Sequence, residues 1–271
     1  MKKDGSSKKS EKTATQKKGS KILIAVIAIL VLAGAVAGAY RYRANLDNTK
    51  TIVEKVGRNY VNCYGSGKPT VVFESALNGY SEDWRLVQPE IAKISRTFSY
   101  DRAGLGKSDA ANTKTRSSQV QVDELHALLE KARVKPPYIL VAHSEGAYNA
   151  RLFAGKYPKE VAGIVFVDAS HQNQFDKYAN LPTDQYKEIR DSYLGTEQSL
   201  PEMITSANQA REVMEKEPLK NIPITVLYAD QKDLKGRTDY NELMAEWIGW
   251  QKELAASSTN GKLVSVTDSG H

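Results

Sequence analysis

Little in this chain can cross-link or ligate. Cys63 is the single cysteine in 271 residues, so no disulfide can form within the chain and packing alone must hold it together. Cys63 itself lies in an alternating segment, VNCYGSGKP, and reads as a half-buried packing residue. An exported chain with no internal disulfide fits a bacterial setting. The four histidines, His126, His143, His171 and His271, are scattered. With neither an H-E-x-x-H run nor paired cysteines, no metal site is expected. No G-x-G-x-x-G follows a strand-like run, so no nucleotide cofactor is expected either. Positive charge is also missing where it would matter for nucleic acid. Residues 1–50 carry 11 Lys/Arg against 3 Asp/Glu, and since the whole chain is at +6, residues 51–271 stand at −2. The basic character belongs to the tail, and no electrostatic footprint for DNA or RNA covers the rest.

What is present begins with that tail. Residues 1–21 are rich in Lys, Ser and Thr, a solvated cytoplasmic segment by composition. Ile22 to Ala39 then run eighteen residues without a charge, the lower end of what spans a bilayer. Eight lysines precede this run and two arginines, Arg41 and Arg43, follow it, which predicts a cytoplasmic N-terminus and an extracellular remainder. Residues 22–40 are therefore expected as a transmembrane signal-anchor, with 41–50 as linker. Ala37-Gly38-Ala39 offers an alternative, a signal peptide cleaved after Ala39 and a secreted product.

Beyond residue 50 the pattern alternates between strands and helices. Thr51–Tyr64 suggests a hairpin, Thr70–Phe73 and Arg96–Tyr100 read as strands, and Trp84, Val87 and Ile91 recur at helical spacing. Val120, Val122, Leu125, Leu128 and Leu129 mark an amphipathic helix. Ala162–Val167, Ile222–Tyr228 and Lys262–Thr267 read as further strands, with about fifty mostly helical residues after the first and a helix around Glu242–Leu254. Such alternation implies an α/β fold with a mostly parallel sheet covered by helices on both faces.

At the centre stands YILVAHSEGAYNARLFAGKYP, Tyr138–Pro158. An apolar run, Tyr138–Val141, breaks at Ala142-His143-Ser144-Glu145-Gly146 and resumes with helical spacing at Ala147, Ala150, Leu152, Phe153 and Ala154. Strand, tight turn carrying a serine, helix: this is a nucleophile elbow, which lifts a hydroxyl above the end of a sheet. Backbone crowding requires small residues two before and two after the serine, and Ala142 and Gly146 meet that demand.

These residues resemble the α/β-hydrolase superfamily over nearly all of 55–271, in particular esterase- and lipase-like serine hydrolases with a helical cap. The resemblance is carried by PTVVFESALNGYSEDW (Pro69–Trp84), SYDRAGLGKSD (Ser99–Asp109), the elbow, GIVFVDASHQNQ (Gly163–Gln174) and VTDSGH (Val266–His271). It implies one hydrolase domain at 51–271, with a cap inserted at about 171–221. It also implies a C-terminal helix beyond the histidine, and no residues follow His271 here. Aromatic and aliphatic cap residues, Phe175, Tyr178, Leu181, Tyr186, Ile189, Tyr193, Met203, Ile204, Val213 and Met214, are expected on the inner face of the cap, over a substrate with an apolar portion.

The resemblance also implies roles. Ser144 is the nucleophile and His271, after the Asp268-Ser269-Gly270 turn, its base, with His171 the other candidate. His126 reads as surface or packing, and His143 as a structural hydrogen bonder. Orientation of the base needs a carboxylate. Asp168, after the Ala162–Val167 strand and 24 residues beyond Ser144, is the favoured acid, and the family's usual place after Ile222–Tyr228 nominates Asp230 and Asp233 as alternatives. Oxyanion donors would be the backbone N–H groups of Glu145 and Leu77, with Ser75-Ala76 standing where the family usually has His-Gly. The Glu145 side chain is expected beside the nucleophile, disfavouring acidic substrates. The expected chemistry is acyl-ester cleavage through an acyl-enzyme, falling in acid as the base takes up a proton. Two alternatives fit the same residues: a hydrolase-fold surface protein that binds or senses without turnover, and an enzyme for amide, lactone or thioester bonds.

Overall fold

The computed structural model describes residues 52–176, 181–216, 218–231 and 235–271. The basic tail, the expected membrane span and the linker lie outside the described residues, as do Tyr178 and Asp233. Among the described residues no helix is long and apolar enough to cross a membrane.

Eight strands form one sheet in the order β1-β2-β4-β3-β5-β6-β7-β8. The expected hairpin is β1 (Ile52–Val56) and β2 (Asn59–Tyr64), antiparallel to each other, and β2 also runs antiparallel to β4 (Thr97–Tyr100). The other neighbours are parallel: β3 (Thr70–Glu74), β5 (Tyr138–His143), β6 (Val161–Val167), β7 (Ile224–Ala229) and β8 (Gly261–Val266). Parallel strands need crossovers, and the helices α1 (Gln88–Ala92), α2 (Ser118–Lys131), α3 (Gly146–Lys156) and α6 (Tyr240–Ala256) supply them.

Successive side chains point to opposite faces of a strand, and here both faces are dry. Val71, Phe73, Ile139, Val141 and Val165 join Trp84 and Ile91 in one core. Val72, Leu140, Ile164 and Phe166 join α2 and α3 in the other, through Leu125, Leu129, Ala150 and Phe153. That is why β3 and β5 read as near-continuous apolar runs instead of alternating ones.

Between β6 and β7 the chain leaves the sheet to form the cap, with α4 (Thr183–Ser192) and α5 (Leu200–Glu215). Helix α5 starts cleanly. Pro201 sits in its first turn, and the Glu202 carboxylate accepts the Ser199 N–H at 2.8 Å. Leu200, Met203, Ala207 and Ala210 recur at helical spacing and bury one stripe of α5 in the core shared with α3.

Candidate active site

Ser144 occupies the turn between β5 and α3 with φ 51°, a left-handed conformation that a non-glycine residue adopts only when its surroundings over-determine it. Three backbone bonds do so. The Ser144 N–H donates to Val167 O at 3.1 Å, while its carbonyl accepts from Ser170 at 3.0 Å and from Ala147 at 3.1 Å. The small-residue rule at position 146 has a direct cause. A Cβ there would lie 2.5 Å from Ser75 O and 2.8 Å from Glu74 O, both backbone atoms.

The Ser144 Oγ lies 2.7 Å from His271 Nε2, and His271 Nδ1 lies 2.5 Å from Asp168 Oδ2. Of the two expected carboxylates among the described residues, Asp168 and Asp230, Asp168 is the one the fold brings to His271. It follows β6 with φ 46° and is 3% exposed. Asp168 Oδ1 accepts from the Ala229 N–H at 3.0 Å and from Trp247 Nε1 at 2.8 Å, and Oδ2 accepts from Gln231 Nε2 at 2.6 Å. Asp230 is turned elsewhere. Lys235 Nζ and the Ser269 N–H bond its carboxylate at 2.8 and 3.0 Å, so it braces the turn that carries His271. Those bonds, led by that from Lys235, pull its carboxyl down to about 2.

The other histidines do not reach Ser144. His126 stacks on Tyr157 with ring centroids 3.8 Å apart. His171 is fully buried against Trp250, and its Nδ1 accepts the Asn173 N–H at 3.3 Å. His143 packs its ring 5.1 Å from that of His271. Burial, with the His271 charge adding, drops the His143 imidazole to about 4, so it is neutral at physiological pH.

A cavity of about 270 Å³ opens at Ser144, lined by Ser170, Gln174, Gln231, Trp247 and His271. Two expectations change here. None of the apolar cap residues among the described residues lines this cavity. Phe175 and Met203 are buried in the core, and Leu181, Tyr186 and Ile204 line a different cavity of about 510 Å³ in the cap. Sealing the cap to the body uses up the apolar stripe. The Glu145 side chain does not face the cavity either. It is 1% exposed, accepts from Gln198 Nε2 at 2.6 Å and lies 3.9 Å from Arg102. A buried carboxylate needs a cation or donor nearby, and Arg102 is the cation within reach. Burial still holds the Glu145 carboxyl well above its ordinary range against the pull of Arg102, and the neighbouring carboxylates of Glu197 and Glu74 add to the rise.

The turn Ser75–Leu77, expected to supply an oxyanion donor, follows β3 directly beside the elbow, because Glu74 pairs with Ala142 across the sheet. Trp247, Gln231, Arg102 and Glu197 were not picked out from sequence. Arg102 lies within Ser99–Asp109, where the family resemblance implies no role for it, and the others carry no local pattern. Among the described residues, no three His, Cys, Asp or Glu side chains are grouped to hold a metal ion.

Sheet order, elbow and cap define a class, and comparison agrees. Residues 69–253 match the alpha/beta hydrolase fold family, and the chain belongs to that family. It is 30% identical over 213 residues to the Bacillus subtilis protein YqjL, covering 76% of this chain and 78% of that one. It is 26% identical to epoxide hydrolase 1 of Caenorhabditis elegans, over 61% of this chain and 41% of that protein. Among solved structures, a thermophilic esterase from Thermogutta terrifontis superposes with TM-score 0.53 at 17% identity, over 79% of this chain and 86% of that one. The monoacylglycerol lipase of Paleococcus ferrophilus superposes with TM-score 0.55 at 15% identity, over 78% and 89%.

Proposed function

We propose that the protein is a serine hydrolase that cleaves an acyl ester through a Ser144–His271–Asp168 triad. The observation that carries this reading is the continuous chain of contacts from Ser144 Oγ through both nitrogens of His271 to a buried, fourfold hydrogen-bonded Asp168. A serine hydroxyl becomes nucleophilic when a base takes its proton. In the first half-reaction Oγ bonds to the ester carbonyl carbon as its proton passes to His271 Nε2. The tetrahedral intermediate then expels the alcohol, which leaves with that proton. In the second half, water attacks the acyl-serine, His271 takes the water proton and returns it to Oγ, and the acid departs. Asp168 holds Nδ1 protonated and stabilises the imidazolium that forms in each half. The N–H groups of Glu145 and Leu77 are assigned to the developing oxyanion, each worth about 10²–10³ in kcat where such donors have been removed. Trp247, which lines the cavity together with Gln174 and Gln231, offers the apolar portion of the substrate a face. Residues 22–40 are proposed as a bilayer anchor with the hydrolase domain extracellular, or as a signal peptide cleaved after Ala39.

Ser144→Ala tests the chemistry. Hydrolysis of short p-nitrophenyl esters and labelling by a fluorophosphonate are both expected to vanish, with the protein still folded. Full esterase activity in the alanine variant would end this reading.

A further inference from the structure

We infer, building on the serine-hydrolase reading, that Arg102 and the cap residue Glu197 are positioning residues for the Leu77 N–H, so that the oxyanion donor is set from the cap. A guanidinium has five N–H donors in one plane, and all five of Arg102 find acceptors. Nη1 donates to Glu74 Oε1 and to Ser75 O, each at 2.9 Å. Nη2 donates to Ala76 O at 2.5 Å and to Glu197 Oε1, and Nε donates to Glu197 Oε2 at 2.9 Å. The two backbone acceptors belong to the turn that leads into Leu77. A peptide group is planar and trans, so its C=O and N–H point in opposite directions. Aiming Ala76 C=O at Arg102 therefore turns the Leu77 N–H away from it, and aiming Ser75 C=O at Arg102 does the same for the Ala76 N–H. The elbow lies against this turn, close enough that Gly146 has no room for a Cβ beside Ser75 O.

What holds the guanidinium is the cap. Glu197 grips it as a two-pronged fork, the geometry that makes an arginine–carboxylate pair directional. The same segment is joined to the turn a second way. Asn78 N–H donates to Glu197 Oε1 at 2.9 Å and Glu197 N–H donates to Asn78 Oδ1 at 2.8 Å. The side chains of Arg102, Glu74, Glu145 and Glu197 are all at most 3% exposed. Glu74 has its own support from Tyr100 and Asn149, at 2.7 and 2.9 Å. Removing the charge of Glu197 thus leaves Arg102 with a carboxylate, while the fork that fixes its plane is lost. A lysine at 102 keeps the charge but, as a point cation, cannot cover two carbonyls and two carboxylates in one plane.

The test compares an oxo ester with its thionoester in wild type, Glu197→Gln and Arg102→Lys. Sulfur accepts hydrogen bonds poorly, so a working oxyanion hole prefers the oxo ester. Glu197→Gln is expected to lower kcat on the oxo ester by roughly 10–100-fold with KM changed less than about threefold. Its oxo-to-thiono preference is expected to fall by about tenfold, with Arg102→Lys following the same course. The preference is a ratio within one preparation, so a partly unfolded fraction cancels and a merely structural role leaves it unmoved. An active wild type whose preference is unchanged in both variants overturns the inference alone. A wild type that hydrolyses neither ester and resists the fluorophosphonate overturns the underlying reading, and this inference with it.

Discussion

Asp168 divides two carboxylate oxygens among four donors, and three of them besides His271 hold it in place: the Ala229 N–H, Trp247 Nε1 and Gln231 Nε2. Asp168→Asn would present an amide N–H where His271 Nδ1–H now donates, turning the imidazole to the wrong tautomer. The equivalent change in the best-studied serine triad costs about 10⁴ in kcat, and a loss of that order on p-nitrophenyl esters is expected here. Asp230→Asn keeps an acceptor for the Ser269 N–H and gives up an ion pair to a lysine that is 49% exposed. Exposed pairs contribute little, so its cost should stay under about tenfold. Equal losses in the two variants would refute the choice of Asp168. The sequence favours Asp168 but leaves Asp230 and Asp233 standing, because all three follow a strand-like run and spacing alone does not say which one turns toward the histidine. Trp247 was still less legible. It lies on a helix 79 residues from Asp168, and nothing local marks its indole N–H as a carboxylate donor.

At the scale of elements, the elbow is where sequence and geometry meet most closely. Ser144 is held at positive φ because β5 must end against Val167 while α3 starts at once beneath the Ser75 turn. Gly146→Ala pushes a methyl into two backbone carbonyls that have no rotamer by which to yield. Overpacking of this kind costs about 1–3 kcal/mol, and for a domain of this size each kcal/mol lowers Tm by roughly 2–4 °C. A thermal melt of Gly146→Ala should show that fall together with loss of esterase activity. A variant as stable and as active as wild type would mean the turn is looser than described. The elements themselves were legible because their periodicity is strong. All the strands expected from Thr70 onward appear within a few residues of their expected ends, and Val122, Leu125, Leu128 and Leu129 of α2 do face the core. The cap was legible as helix but not in what it faces. An apolar stripe at helical spacing is the same whether it roofs a pocket or seals against α3, and here the sealing of α5 buries it.

Across the whole molecule, burial of polar side chains couples stability to pH. Arg151, fully buried on α3, donates to Ser170 O at 2.7 Å and Gln172 Oε1 at 2.6 Å, tying the start of the cap to the elbow helix. The same region buries His171. Its imidazole is driven down to about 3, first by burial and then by the positive charges of Arg151 and Arg211. The Glu253 carboxylate 3.2 Å from Nε2 would favour the cation, but it is 62% exposed, and water screens most of that attraction. The imidazole is therefore neutral in the fold and free to charge in the unfolded chain, where a histidine titrates near 6.5. Between those two values the unfolded state binds the extra proton, so stability falls as pH drops from about 6.5 toward about 3 and is untouched by this group above that window. His143, held down to about 4, acts with the same sign. His171→Gln removes one titrating group, although it also loses the stacking on Trp250, so the absolute stabilities of variant and wild type are not the informative comparison. The slope is. Urea melts between about pH 6 and pH 4 should give a wild-type stability that falls more steeply than the variant's, by up to about 1.4 kcal/mol per pH unit. Parallel slopes would mean that His171 already carries its proton in the fold, and that the region around Trp250 is far wetter than its burial implies.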